Sequence, residues 1–181
     1  QGSCGQAALH QEVRIDSSDP MNIPGEILTK GPNVLLGYYK NEEDTSQTID
    51  KDGWFHTGDL GLMDEDGNVF IKGRSKNMLL GSNGQNIYPE EIEDKLNSMS
   101  MVSECIVIQR GEKLIALVHP DYDEAQNLGL NADDIKNIME ENRTQLNAIV
   151  PAYCKVSEIR IHEEEFEKTP KKSIKRFLYT E

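Results

Sequence analysis

Long apolar runs are missing from this sequence. No stretch approaches the ~20 apolar residues that cross a bilayer, which excludes a helical membrane span. The start, Gln1 to Gln6, has neither the apolar core of a secretory signal nor an initiator Met, which suits a cut or trimmed fragment. Cysteine is scarce, odd in number and widely spaced: Cys4, Cys105 and Cys154. No CxxC or Cys/His pair has metal spacing, so no metal site is expected, and the compartment is expected to be reducing and cytoplasmic. His10, His56, His119 and His162 are scattered and share no metal spacing either. Positive charge is the minority sign: 19 Lys and Arg against 32 Asp and Glu give a net −13. That balance repels a phosphate backbone and argues against general nucleic-acid binding.

What is present is enough for a globular protein. At 181 residues, 36% apolar and 28% charged, the chain can bury a core without staples. The few cations crowd the end, where Lys168, Lys171, Lys172, Lys175 and Arg176 follow Glu163, Glu164, Glu165 and Glu167. On charge alone this reads as a solvated, self-neutralising tail.

Residues 25–39 read as two short strands, GEILTK and NVLLGYY, around Gly31-Pro32. A polar stretch, 41–53, follows. Leu60 to Lys72 reads as a hairpin turning at Asp64-Glu65-Asp66-Gly67, where Asp and Gly tolerate positive φ. Residues 77–80 and 85–88 flank Gly81-Ser82-Asn83-Gly84 as a second hairpin. Pro89 suits the first turn of a helix, and Ile92, Leu96 and Met99 continue at helical spacing. Cys105 is expected in the core of a strand that pairs with Leu114 to Val118. A long helix is predicted from about Ala132 to Ile149, capped by Asn131, with Ile135, Ile138, Met139, Leu146 and Ile149 on its buried face. Val156 to Ile161 reads as a last strand. The fold class expected is α+β: a small all-β piece, residues 1–73, a linker at 74–76, and a compact α+β domain, 77–181.

Four segments carry the chemistry. They are PGEILTKGPNVLLGYYKNEEDT with WFHTGDLG, then GRSKNMLLGSNGQNIYPEEIE, then AIVPAYCKV, then FEKTPKKSIKRFLY. Asp59 follows Gly58 in what reads as a turn, where a carboxylate can accept bonds from vicinal hydroxyls. An Asp that satisfies its own turn is the plainer alternative. Arg74 offers a fixed fork of donors. The Gly81 to Gly84 turn is bare enough for close backbone approach to a ligand, although a plain hairpin turn would look the same. Glu91 and Glu93 read as favouring the helix N-terminus electrostatically.

In this order, TGDLG, GRSK and GQNIYPEEIE resemble the adenylate-forming family of acyl-CoA synthetases, luciferases and peptide-synthetase adenylation domains. The resemblance covers nearly the whole chain. It implies the end of a large AMP-binding domain followed by a mobile C-terminal domain. Thr57, Asp59 and Arg74 are then expected to bind the nucleotide, with Asp59 on its ribose. Lys76 matches the hinge, and Gly84 lies on the loop that borders coenzyme A. The family commonly ends in Thr-Pro-x-Gly-Lys-Ile, whose Lys serves adenylation. Here Ser173 takes that place and Lys172 the place of the Gly, so Lys172 is the candidate for the role, with Lys175 as the alternative.

The resemblance implies ATP, coenzyme A and Mg²⁺ as partners in the chemistry. The SIKRFLY ending and the GQNIYPEEIE form look most similar to long-chain fatty-acid CoA ligases, so a fatty acid is the expected substrate. The upstream phosphate loop is absent, so the missing N-terminal domain is the expected partner and the isolated chain is expected to be inactive. Peripheral membrane contact stays open. The alternatives are an adenylation domain that hands its acyl group to a carrier protein, and a non-enzymatic module docking through the basic tail.

Overall fold

The structure is a computed structural model that describes residues 2–180. The chain divides into two compact units, one ending at Asn77 and the other starting at Met78.

The first unit is a four-stranded antiparallel meander. Its strands are β1 (Glu12–Asp16), β2 (Gly25–Lys30), β3 (Phe55–Met63) and β4 (Val69–Arg74), in the order β1-β2-β3-β4. Ile15, Ile27 and Val69 form its buried centre, with Val13 and Met63 against them. The β3–β4 turn closes on Asp64, whose carboxylate accepts from the Asp66 and Asn68 N–H groups and from the Asn68 amide. Gly67 follows at φ +80, a backbone state that costs a residue with a Cβ more.

One expectation fails in this unit. NVLLGYY is not a strand: it runs through bends to an isolated bridge between Tyr38 and Asn41, and Leu36 and Tyr39 are exposed. Gly37 and Lys40 both take positive φ there, which breaks the pleat a strand requires. The polar stretch after it contains a helix, α1 (Glu42–Thr48), capped by Asn41 accepting from the Asp44 N–H. None of its residues is buried, so it has no apolar stripe to be read, and it is held by its cap and acidic first turn.

The second unit starts with a two-residue ladder, β5 (Leu79–Leu80) against β6 (Asn86–Ile87), and continues into α2 (Pro89–Leu96). Its main sheet is β7 (Val102–Arg110), β8 (Lys113–Pro120) and β9 (Val156–Ile161), in that order. β7 and β8 form a tight antiparallel hairpin. β9 runs parallel to β8, so a crossover is required, and α3 (Tyr122–Leu128) and α4 (Ala132–Ile149) provide it.

The run Cys105-Ile106-Val107-Ile108 is continuously apolar because both faces of β7 are covered. Cys105 and Val107 pack with Leu96, Met139 and Leu146 on the helix side. Ile106 and Ile108 face the other way, onto Ile115 and Phe166 from the C-terminal segment. Each fully buried side chain of this size contributes about 1.5–3 kcal/mol. Asn131 caps α4 as expected, in a reciprocal box with Asp134. The buried face differs at two points: Ile149 is exposed, and Asn142 takes an inside position by donating its amide to the Ser100 carbonyl.

Candidate functional site

The Thr57-Gly58-Asp59 segment lies inside β3, not in a turn between strands. What gives it a turn's character is Gly58 at φ +71, with register slips in the neighbouring ladders. The kink takes amides out of the ladder, and side chains receive them. Gly58 N–H donates to Glu26 Oε1 at 2.9 Å, and Asp59 N–H donates to Thr57 Oγ1 at 3.0 Å. Thr57 Oγ1 in turn donates to the Ile27 carbonyl at 2.8 Å. His56 Nδ1 lies 2.8 Å from Glu26 Oε2, so this histidine braces the same carboxylate.

The kink sets Asp59 opposite Arg74 on β4, and Arg74 Nε lies 2.9 Å from Asp59 Oδ1. The pair is open: the carboxylate side chain is 28% exposed and the guanidinium side chain 54%. An ionised carboxylate has about four acceptor positions, so one bond from Arg74 leaves capacity for two neighbouring hydroxyls. Thr57 and Asp59 border a groove of about 470 Å³ whose apolar walls include Val13, Ile27 and Ile71. Lys76 lies two residues past Arg74, in the 3₁₀ turn Ser75–Asn77.

The glycine-bounded loop belongs to the second unit. Gly81 donates to the Gln85 carbonyl at 2.8 Å and accepts from the Gly84 N–H at 2.9 Å. Gly84 sits at φ +77 with no atom within 4 Å of where a Cβ would stand, so its backbone faces open space. The loop lines a cleft of about 350 Å³ together with Gln109, Tyr153 and Lys155.

The C-terminal segment is a second loop with a distinct tip. Thr169 N–H donates to the Ser173 carbonyl and Lys172 N–H to the Thr169 carbonyl, both at 2.8 Å. Lys172 takes φ +62, the left-handed state that favours glycine. This is the position where the resembling motif has Gly. Lys171, Lys172 and Ser173 are exposed. Lys175, the alternative, is half-buried, with Nζ 3.0 Å from Glu167 Oε2. Lys168 pairs with Glu104 at 2.7 Å, and this draws its pKa upward against desolvation.

One feature of the second unit corrects the sequence reading. Glu93 does not serve the helix N-terminus: it is buried and makes a two-pronged pair with Arg176 at 2.6 and 2.7 Å. Arg176 is therefore not part of a solvated tail. Burial works against its charge, but the Glu93 bonds and charge outweigh it and hold the guanidinium above its ordinary range. Nothing in one sequence marks these residues as partners, since 83 positions separate them.

Among the described residues, no group of three or more His, Cys, Asp or Glu side chains could hold a metal ion. No helix among them is long and apolar enough to cross a membrane. Cys105 and Cys154 are buried, which raises both thiols, Cys154 to about 11, while Cys4 is exposed.

Residues 76–181 match the family described as the AMP-binding enzyme C-terminal domain. The chain is 41% identical over 115 residues to a 2-succinylbenzoate–CoA ligase of Bacillus cytotoxicus, covering 62% of this chain and 24% of the relative. It is 41% identical over 128 residues to an indoleacetate–CoA ligase of Aromatoleum aromaticum, covering 66% and 25%. It thus spans about a quarter of the length of these curated relatives. Among solved structures, an ATP-bound RpMatB–BxBclM chimera superposes with a TM-score of 0.75 at 26% identity, over 98% of this chain and 35% of the chimera. On the match that covers more than half of its residues, the chain belongs to the family of AMP-binding enzyme C-terminal domains.

Proposed function

We propose that this chain is the C-terminal part of an ATP-dependent acid–CoA ligase. The observation that carries the reading is the open Asp59–Arg74 pair at the Gly58 kink, in a chain whose remainder matches the AMP-binding family. Asp59 receives the two ribose hydroxyls of the nucleotide, while Arg74 holds the carboxylate in place and lends donors to ribose or phosphate. Thr57 shapes the kink. Mg²⁺ arrives with the triphosphate, whose charge it neutralises.

Two steps follow. The acid's carboxylate oxygen attacks the α-phosphorus of ATP, forming a mixed anhydride and releasing pyrophosphate. The thiol of coenzyme A then attacks the acyl carbon, loses its proton and expels AMP. Lys172 supplies positive charge to the first step from the exposed loop tip, which the Ser173 hydroxyl cannot do. The Gly84 loop borders coenzyme A in the second. Lys76 is the hinge that lets the second unit serve each step in turn.

The acid is proposed to be a fatty acid, on the resemblance of the SIKRFLY ending to long-chain ligases. The names of the relatives point elsewhere, to 2-succinylbenzoate and indoleacetate, and so favour a ring-bearing acid as the second reading. Thioester formation by the intact ligase with hexadecanoate, indoleacetate and 2-succinylbenzoate separates the two. The wider reading is tested by acid-dependent ATP–pyrophosphate exchange. Lys172→Ala is expected to slow exchange by about 10²–10³-fold and to spare thioester formation from supplied acyl-adenylate. Unchanged exchange removes Lys172 from the role. The 181-residue chain alone is expected to form no AMP from ATP, acid and coenzyme A.

A further inference from the structure

We propose that Glu93 and Arg176 are positioning residues: their buried pair bolts the C-terminal loop to the edge of the sheet and so fixes where the Lys171-Lys172 tip stands. The inference rests on the reading above only for the use made of the tip. The bolt itself is a matter of geometry.

β7 is an edge strand of the sheet β7-β8-β9. An edge exposes unpaired N–H and C=O groups. At Val107 both are taken up by the pair: its N–H donates to Glu93 Oε1 at 2.5 Å, and its carbonyl accepts from Arg176 Nη1 at 3.0 Å. The ion pair thus stands where another strand would pair. Glu93 belongs to α2, and Arg176 opens a short 3₁₀ turn, Arg176–Leu178. Three separate pieces of the unit meet at one residue of β7.

The bolt lies close to the tip in sequence and is tied to it by the loop's own bonds. Lys168 and Ile174 bridge the two arms, and Lys175 N–H donates to the Glu167 carbonyl at 2.8 Å. On the incoming arm, Phe166 is buried against Ile106 and Ile108, and its N–H donates to Glu104. On the outgoing arm, Tyr179 packs edge-on against Phe166 and takes the Glu167 N–H on its hydroxyl at 2.8 Å. The arms are anchored from Phe166 and from Arg176, and between them the side chains at the tip project into solvent. Arg176 gives the outgoing arm a charged, buried anchor with a fixed planar fork, which a lysine would not reproduce. A displacement of about 1 Å in a group that acts on a reacting centre can cost ~10²-fold in rate.

Two readouts test the proposal on Arg176→Lys and Glu93→Gln, changes small enough to keep the unit folded. The first is amide hydrogen exchange in the 181-residue chain. The Thr169, Lys172 and Lys175 amides are expected to lose at least ~10-fold more protection than Ile106 and Ala116 in the sheet, which lose only what the unit as a whole loses. Unchanged protection in the loop overturns the bolt. Equal loss of protection in loop and sheet also overturns it, by showing a general stabilising role. The second is the intact ligase, where both variants should slow ATP–pyrophosphate exchange by about 10–100-fold, with thioester formation from acyl-adenylate within about twofold. If the loop loosens but exchange holds, the positioning role is refuted. If Lys172→Ala also leaves exchange unaltered, the reading of the tip fails and the bolt stands on its exchange data alone.

Discussion

Two of the arginine–carboxylate pairs among the described residues stand in opposite circumstances. Arg74 and Asp59 meet at 2.9 Å on a strand pair of the first unit, and both remain partly open to water. Arg176 and Glu93 meet at 2.6 Å in the second unit, with side-chain exposures of 18% and 10%. The first has acceptor capacity left over. The second spends its capacity on Val107 and on its own partner. Chemistry alone does not assign a role to such a pair. Burial and unused hydrogen-bonding capacity do: an open pair can serve a ligand, and a closed one serves the fold.

The largest effect that could break this contrast is expected from Arg176→Met. It leaves Glu93 buried without its partner, and removal of one member of a buried pair costs about 3–5 kcal/mol. Urea denaturation of the 181-residue chain should show the second unit losing that much. A loss under about 1 kcal/mol would place the pair among ordinary surface contacts.

A smaller effect is expected from Gly84→Ala. Space is not the obstacle, since nothing lies within 4 Å, but φ +77 is strained for a residue with a Cβ, at roughly 1–2 kcal/mol. The same experiment should place it there. No measurable cost would mean that the loop relaxes into another backbone state.

Smaller still is Asp59→Asn. The open pair contributes about 0–1 kcal/mol, so the urea midpoint should barely move while nucleotide binding falls. A stability loss comparable to that of Arg176→Met would erase the distinction between the pairs.

The last and slightest effect concerns acid. Asp50 is held below its ordinary value of 3.8 by the Trp54 N–H, and Asp64 below the same value by the Asn68 side chain. A carboxylate with a depressed folded pKa adds stability that is present above its unfolded pKa and lost as pH falls through the folded one. The first unit should therefore weaken as pH drops below 3.8, and Asp64→Asn should blunt the slope. An unaltered slope would show that the turn bonds are not sensed.

Much of this was legible in the sequence, and the reasons differ by element. The β7–β8 hairpin and α4 announce themselves through apolar runs and spacing that packing then uses. Asn131 is a cap because its side chain accepts from the Asp133 and Asp134 N–H groups just ahead of it, a local fact. The α1 helix was not legible because it buries nothing. NVLLGYY misled because apolar content is not the same as pleat: Gly37 and Lys40 turn the chain. At the site, Asp59 and Arg74 stand in motifs, whereas the Glu93–Arg176 pair joins residues whose proximity only the fold creates. The left-handed turn at Lys172 gives a physical reason for a glycine in the resembling motif, and it was visible only once the backbone was in hand.

The central claim is that the open pair is kept for a nucleotide. Its most direct test is the thermal melting of the proposed full-length ligase with and without AMP, for wild type and Asp59→Asn. A ligand at about 100 times its Kd adds roughly 2.7 kcal/mol to the state that binds it. The account predicts equal melting temperatures without AMP and a rise with AMP in the wild type only. An equal rise in Asp59→Asn would contradict it.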